Sequence, residues 1–295
     1  MHYTGQIYRP PSEAWTPLLE VTYGCSHNGC VYCTMYKDTP FGTAKRENIQ
    51  ADILEIKENY SYPVERIYLT GGDPFVLSPN KLLDISQMIH SQLDQVKTIT
   101  CYASLYNLKN KSVEDLKKLK EAGYNEIYIG IETGYAKSLN FINKNINLEE
   151  SFDQLKKLKE AGIDYIAILM LGIGGSGQGE ENAKATAKLL NTYMPKALGM
   201  MTTSVIPGSK LYDIRDKGLF KEATMREILE EQIVLLENLK PDHPEKTLYN
   251  SYHMVNQVQI QASLDKKDQI IEVYKEALKT TPAEILDRPN MLIAR

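Results

Sequence analysis

Four cysteines in 295 residues are too few for a disulfide scaffold. No run of 18 apolar residues occurs, so no stretch reads as a membrane span. Residues 1–17 lack the basic-then-apolar pattern of a secretion signal, which makes the cytoplasm the expected compartment. A basic excess is also missing: 34 Lys+Arg stand against 38 Asp+Glu, for a net charge of −4 and a pI near 5.8. That balance disfavours an electrostatic nucleic-acid binder and favours a small-molecule partner. No linker rich in Gly, Ser or Pro divides the chain, and no segment is of low complexity. With 42% apolar and 24% charged residues, the remaining class is a soluble globular protein with ample material for a core.

The few cysteines are unevenly placed. Cys25, Cys30 and Cys33 fall within nine residues, and Cys101 lies far away. In a cytosolic chain such clustering suggests a metal site, and thiolates favour zinc or iron–sulfur. A structural zinc site usually takes four protein ligands, often as two separated pairs, so zinc would need His27 or Cys101. Three cysteines in one loop without a second pair favour iron–sulfur. A zinc-stabilised binding module stays the alternative on spacing alone.

An internal repeat gives the architecture. The octet Leu116-Lys-Lys-Leu-Lys-Glu-Ala-Gly123 recurs identically from Leu155 to Gly162. In each copy leucines three apart share a helical face, lysines cover the other, and glycine stands where a helix would end. Capping signals precede both, Ser112-x-x-Asp115 and Asn147-x-x-Glu150, and a strand-like run follows each. Repeated βα units and a parallel sheet are therefore expected. Six strands are predicted, over 18–22, 66–70, 96–102, 126–131, 164–171 and 197–204. Helices are predicted between them, including 47–58, 78–92, 180–191 and 224–239. Past about residue 240 the alternation stops. Residues 1–240 thus read as one α/β domain, and 241–295 as a helical and extended appendage on it.

Chemistry-bearing motifs fall at the C-terminal ends of these strands. The cysteine loop follows the first. Thr70-Gly71-Gly72-Asp73-Pro74 follows the second, where adjacent glycines let backbone approach a ligand closely. Tyr102 and Ser104 stand at the end of the third. Ile129-Gly-Ile-Glu132-Thr-Gly134 ends the fourth with a carboxylate, the siting that parallel barrels use for ligand groups. Gly172-x-Gly174-x-x-Gly177 ends the fifth. It formally fits a dinucleotide fingerprint, but it lies outside the first βα unit, and strand six ends in Thr202-Thr203-Ser204 rather than an acidic residue. The sixth strand runs into Val205-Ile-Pro-Gly208.

The cysteine loop, with Tyr32 just before its third cysteine, resembles the cluster loop of the radical S-adenosylmethionine (SAM) superfamily. The usual spacing there is three residues and then two, whereas this chain has four and then two. The resemblance extends over residues 18–210, with every motif in family order. It implies a partial (β/α)6 TIM-like barrel with Cys25, Cys30 and Cys33 on a 4Fe-4S cluster. It implies SAM bound by Tyr32, Gly71, Gly72, Asp73, Ser104, Glu132, Gly172, Gly174 and Val205. Asp73 replaces the family's Glu, and Glu132 stands where relatives of coproporphyrinogen dehydrogenase meet the SAM ribose. The implied activity is reductive cleavage of SAM to a 5′-deoxyadenosyl radical that abstracts hydrogen from a small substrate. An electron donor such as a flavodoxin or ferredoxin is implied as partner. Only one cysteine lies outside the triad, so second-cluster chemistry is disfavoured and a compact lyase, isomerase or oxidative enzyme is expected. Size and spacing are similar to those of a lyase of 7-deazaguanine salvage. A decarboxylase resembling coproporphyrinogen dehydrogenase is the alternative. The 19 tyrosines, several near strand ends, would suit a polar heterocycle, but a chain rich in Lys, Asn, Ile and Tyr also places tyrosines there for packing and surface alone, and composition favours that reading.

Overall fold

The structure is a computed structural model, and it describes residues 1–289. It is α/β, with a mostly parallel sheet of eight strands and a separate two-stranded ribbon. In chain order the elements begin with β1 (Leu18–Glu20), β2 (Thr22–Tyr23), β3 (Gly42–Thr43), α1 (Arg46–Asn59), β4 (Arg66–Thr70) and α2 (Pro79–Gln92). There follow β5 (Thr98–Ala103), α3 (Val113–Glu121), β6 (Glu126–Glu132), α4 (Ala136–Phe141), α5 (Leu148–Ala161) and β7 (Asp164–Leu171). The chain continues through α6 (Gly179–Leu190), β8 (Ala197–Thr202), α7 (Lys210–Asp216) and α8 (Met225–Asn238). It ends with β9 (Leu248–Asn250), β10 (Gln261–Ser263), α9 (Lys267–Thr280) and α10 (Ala283–Leu286).

The helix starts follow their capping residues. Ser112 and Asp115 form a reciprocal capping box on α3, Asn147 and Glu150 do the same for α5, and Ser78 accepts from Lys81 N–H ahead of α2. Leu116 and Leu119 of α3 are fully buried, as the repeat predicts.

Contacts divide the chain into two compact units. The first comprises Met1–Asn28, Met35–Gly130 and Lys156–Tyr165. Its strands run in the order β1-β4-β5-β6, in parallel, with Leu18 opposite Tyr68, Tyr68 opposite Thr100, and Tyr102 opposite Tyr128. Alternation along each strand separates two faces. Ile67, Leu69, Ile99, Cys101, Ile127 and Ile129 are fully buried on one, where Ile99 meets the turn at Gly123 beside His90 of α2. The other face carries hydroxyls: Tyr68, Thr70, Thr100, Tyr102 and Tyr128. The rings of Tyr68, Tyr102 and Tyr128 meet edge to face at 5.8–6.2 Å. At the N-terminal ends of β4 and β6, Arg66 bridges Glu13 (2.6 Å) and Glu126 (2.5 Å), and Tyr128 donates to Glu13 (2.6 Å). This network places the chain's first segment at the strand starts.

The second unit comprises Gly29–Thr34, Ile131–Leu155 and Ile166 onward. Here β7 pairs in parallel with β8, and β8 with β9, Ala197 facing Leu248. β10 returns antiparallel to β9. The stretch expected to be merely extended thus adds two strands to the sheet. α8 packs between α6 and α9. Tyr249 of β9 and Tyr274 of α9 both donate to Gln232 Oε1 at 2.8 Å, which ties the last strands to α8. Among the described residues no helix is long and apolar enough to cross a membrane.

Candidate active site

In the first unit the Gly-Gly turn and the start of the cysteine loop are built against each other. Gly72 N–H donates to Gly24 O at 2.7 Å. A Cβ on Gly72 would sit 2.6 Å from Cys25 Cβ, so only glycine permits this approach. Asp73, buried beside it, holds the residue after the first cysteine. Its Oδ1 accepts Ser26 N–H at 2.9 Å, and its Oδ2 accepts the Ser26 hydroxyl. The same Oδ2 accepts Asn107 Nδ2 at 3.3 Å. Asn107 and Ser104 cap each other at the short helical turn after β5, through Ser104 N–H to Asn107 Oδ1 at 2.8 Å. Cys25, Ser26, Gly71, Gly72, Asp73 and Ser104 therefore form one hydrogen-bonded and packed group. Asp73 serves in it as an anchor that already accepts three bonds from protein.

In the second unit lie the rest of the loop and the end of β6. Cys33 N–H donates to Cys30 O at 3.3 Å in a tight turn. Val31 is pinned on both sides, donating to Ile142 O at 3.2 Å and accepting from Leu211 N–H at 2.7 Å. Tyr32 packs against the buried cluster of Val205, Leu211 and Phe220, alongside Phe141, whose ring stacks on Phe220 at 5.7 Å. Two residues expected to contact SAM, Tyr32 and Val205, are thus brought together.

Glu132 is buried and adopts a left-handed backbone, φ +61°, at the end of β6. That conformation costs a non-glycine residue on the order of 1–2 kcal/mol. Lys144 Nζ donates to Glu132 Oε1 at 2.7 Å. Burial would lower the Lys144 pKa, but Glu132, with Tyr32 and Cys30 beside it, lifts it well above the usual lysine range. Lys144 is therefore a fixed cation beside Cys30. Sequence reasoning passed over it. The signal was local, Asn143-Lys144-Asn145, with both asparagines in the left-handed region at φ +55° and +60°.

The glycine-rich turn after β7 is tight, with Gly172 at φ +70° and Gly175 N–H donating to Gly172 O at 3.0 Å. A Cβ on Gly174 would stand 3.0 Å from Gln178 Cβ and from Ser138 Oγ. Cys101, outside the triad, is fully buried, and desolvation raises its thiol pKa far above the ordinary value. It is packing. By contrast Cys25, Cys30 and Cys33 are each partly exposed. Among the described residues no three His, Cys, Asp or Glu side chains are gathered as a metal-holding group.

The sequence model of the Radical SAM superfamily matches residues 19–190. An uncharacterized methyltransferase of Pyrococcus horikoshii is 26% identical over 193 residues, covering 64% of this chain and 40% of that protein. The heme chaperone HemW of Bacillus subtilis is 26% identical over 219 residues, covering 70% of this chain and 56% of its own length. Among solved structures, the radical SAM methyltransferase TsrM from Kitasatospora setae, with cobalamin and a 4Fe-4S cluster bound, superposes with a TM-score of 0.58. It is 12% identical, and the match covers 90% of this chain and 61% of that one. The chain thus spans less than two thirds of each of these proteins. The structural likeness shows the fold, the α/β TIM-like barrel class.

Proposed function

Because the chain belongs to the radical SAM superfamily, we propose that Cys25, Cys30 and Cys33 hold a 4Fe-4S cluster beside bound SAM. The observation that carries this reading is the loop itself. Its three cysteines are all partly exposed, and the first is seated under a glycine whose missing Cβ leaves it room. When bound, cluster and SAM supply a one-electron cleavage of a carbon–sulfur bond, chemistry that side chains cannot perform alone.

This chain's residues bind and orient. The Gly71–Gly72 backbone offers its groups to the amino end of SAM, with Asp73 fixing the turn and Ser104 offering a polar contact to the carboxylate. Glu132, held by Lys144, accepts from the ribose hydroxyls. Tyr32, Val205 and the turn at Gly172 and Gly174 supply an apolar and backbone surface for adenine. Anaerobic reconstitution with iron and sulfide is expected to give about four irons per chain, the content of one cluster. The Cys25→Ala, Cys30→Ala, Cys33→Ala triple variant should hold none. A colourless protein with one tightly held zinc would overturn the reading.

The substrate we infer is a small polar heterocycle of the 7-deazaguanine type, cleaved in the manner of queuine lyase, with a flavodoxin or ferredoxin as electron donor. The four-then-two cysteine spacing supports it. So does the hydroxyl-bearing face of the first unit, where Tyr68, Thr70 and Thr100 have buried hydroxyls without a hydrogen-bond partner. A second reading, oxidative decarboxylation resembling that of coproporphyrinogen dehydrogenase, draws on the segment Ile129 to Gly134. Turnover mixtures with queuine or with a coproporphyrinogen separate the two. Queuine left unchanged counts against the first, and an intact porphyrinogen against the second.

A further inference from the structure

Helix α8 sends two carboxylates, one helical turn apart, into the glycine-rich turn. Glu227 Oε1 accepts Gly177 N–H at 2.6 Å and the Ser176 hydroxyl at 2.9 Å, while its Oε2 accepts Thr224 N–H at 2.7 Å. Glu231 Oε2 accepts Gly172 N–H at 2.8 Å, and its Oε1 accepts Asn182 Nδ2 at 2.7 Å. Asn182 Oδ1 in turn accepts the Thr133 hydroxyl at 2.6 Å, and Thr133 follows Glu132. The turn is therefore gripped at both ends from α8, and one of the two grips continues into the end of β6.

We propose that Glu231 and Glu227 are positioning residues for SAM, and that ionised Glu231 is needed to hold the adenine-side turn and the Glu132 segment in one arrangement. This rests on the proposed function, in which both segments meet SAM. The reason is the donor count. Glu231 faces two N–H donors, one per oxygen, and an ionised carboxylate satisfies both. A protonated acid, or the side-chain amide that Glu231→Gln introduces, turns one acceptor into a donor and leaves one N–H opposed.

The surroundings make this switchable near neutrality. Burial raises the Glu231 pKa to about 7 against the pull of Gly172 N–H and Asn182, and Glu227 on the same helix adds to the rise. The groups that face Glu231 are few. From α6 it meets Asn182, a neutral amide. From β6 it meets Glu132, which lines the same small void and is paired with Lys144. On the α9 side Tyr274 gives its phenol to Gln232 of α8. Glu227 keeps its own proton affinity low, since the Thr224 and Gly177 N–H groups and the Ser176 hydroxyl outweigh its burial. Glu231 is thus the member of the pair that changes charge.

The test uses reconstituted protein and SAM itself, with binding measured by equilibrium dialysis from pH 6 to 8. Glu231→Gln should weaken SAM binding about tenfold at pH 8 and much less at pH 6, so that the ratio of the two dissociation constants falls toward one at low pH. A tenfold change is the scale of one lost charge-assisted bond. A variant-to-wild-type ratio that is constant across pH overturns the proposal. A second readout needs neither the variant nor SAM. Amide hydrogen exchange at Gly172, corrected for intrinsic rates, should slow in the wild-type protein as pH rises through 7, and no change there overturns it as well. Wild-type protein that fails to bind SAM at every pH instead refutes the cofactor reading, and the exchange result still decides the role of Glu231 in the turn.

Discussion

Glu231 is an acid sealed from water, and the sign of its effect on folding follows from where its proton goes. In the folded chain its pKa is about 7, against an ordinary value of 4.5. Between those values the unfolded chain has released the proton while the folded chain retains it. Stability therefore falls as pH rises from 4.5 to about 7 and levels off above that. The span corresponds to about 3 kcal/mol, at 1.36 kcal/mol per unit. Glu231→Gln should remove this component. Urea midpoints at pH 5 and pH 8 are expected to differ less in the variant than in the wild type, and an unchanged difference would contradict it. Gly72 makes a steric prediction at the same scale. Gly72→Ala would put a methyl group 2.6 Å from Cys25 Cβ and 2.8 Å from Gly24 O. Overpacking of this kind costs about 1–3 kcal/mol. A lowered melting temperature and reduced iron uptake after reconstitution are expected together, and full iron uptake would show that the cysteine loop tolerates the shift.

Among elements, the N-terminal segment is held at the strand starts by charge. Arg66 stands between Glu13, 2% exposed, and Glu126. Burial would raise the Glu13 pKa, but hydrogen bonds from Arg66, Thr16 and Tyr128 outweigh it and set the pKa below the ordinary value. Its stabilising contribution is therefore present at neutral pH and lost as pH falls through that lowered pKa. Arg66→Met would strand two carboxylates and should cost about 3–5 kcal/mol at pH 7. Chemical denaturation should show a smaller penalty at pH 3, where protonation removes the stranded charge. An equal penalty at both pH values would mean that the Arg66 side chain acts by packing. The elements most legible in the sequence were those with local signals. The duplicated octet marked α3 and α5, and Ser112, Asn147 and Pro79 marked helix starts within a residue or two. β9 and β10 escaped because Leu248–Asn250 and Gln261–Ser263 are three residues each and partly polar, and pairing with β8 makes them strands. α4 and α7 are short helices, six and seven residues, whose periodicity is too brief to read.

At the scale of the molecule, the motifs were legible because each occupies the end of a strand, a position that recurs with the βα period. Their partners were not. Lys144 lies between two helices and reaches Glu132 across twelve residues. Asn107 meets Asp73 from 34 residues away, and Glu231 meets Gly172 from 59. Such pairings depend on how elements pack, and one sequence without its fold carries no sign of them. In each unit, therefore, the proposed site residues combine a skeleton written in the chain with supporting polar groups supplied by tertiary structure. Both serve the same proposed chemistry, reductive cleavage of SAM. The most direct measurement is of 5′-deoxyadenosine formed when the anaerobically reconstituted protein is given SAM and a strong one-electron reductant. The intact chain is expected to form it, and the Cys25→Ala, Cys30→Ala, Cys33→Ala variant to form none. SAM recovered whole from the reduced, iron-loaded protein would contradict this.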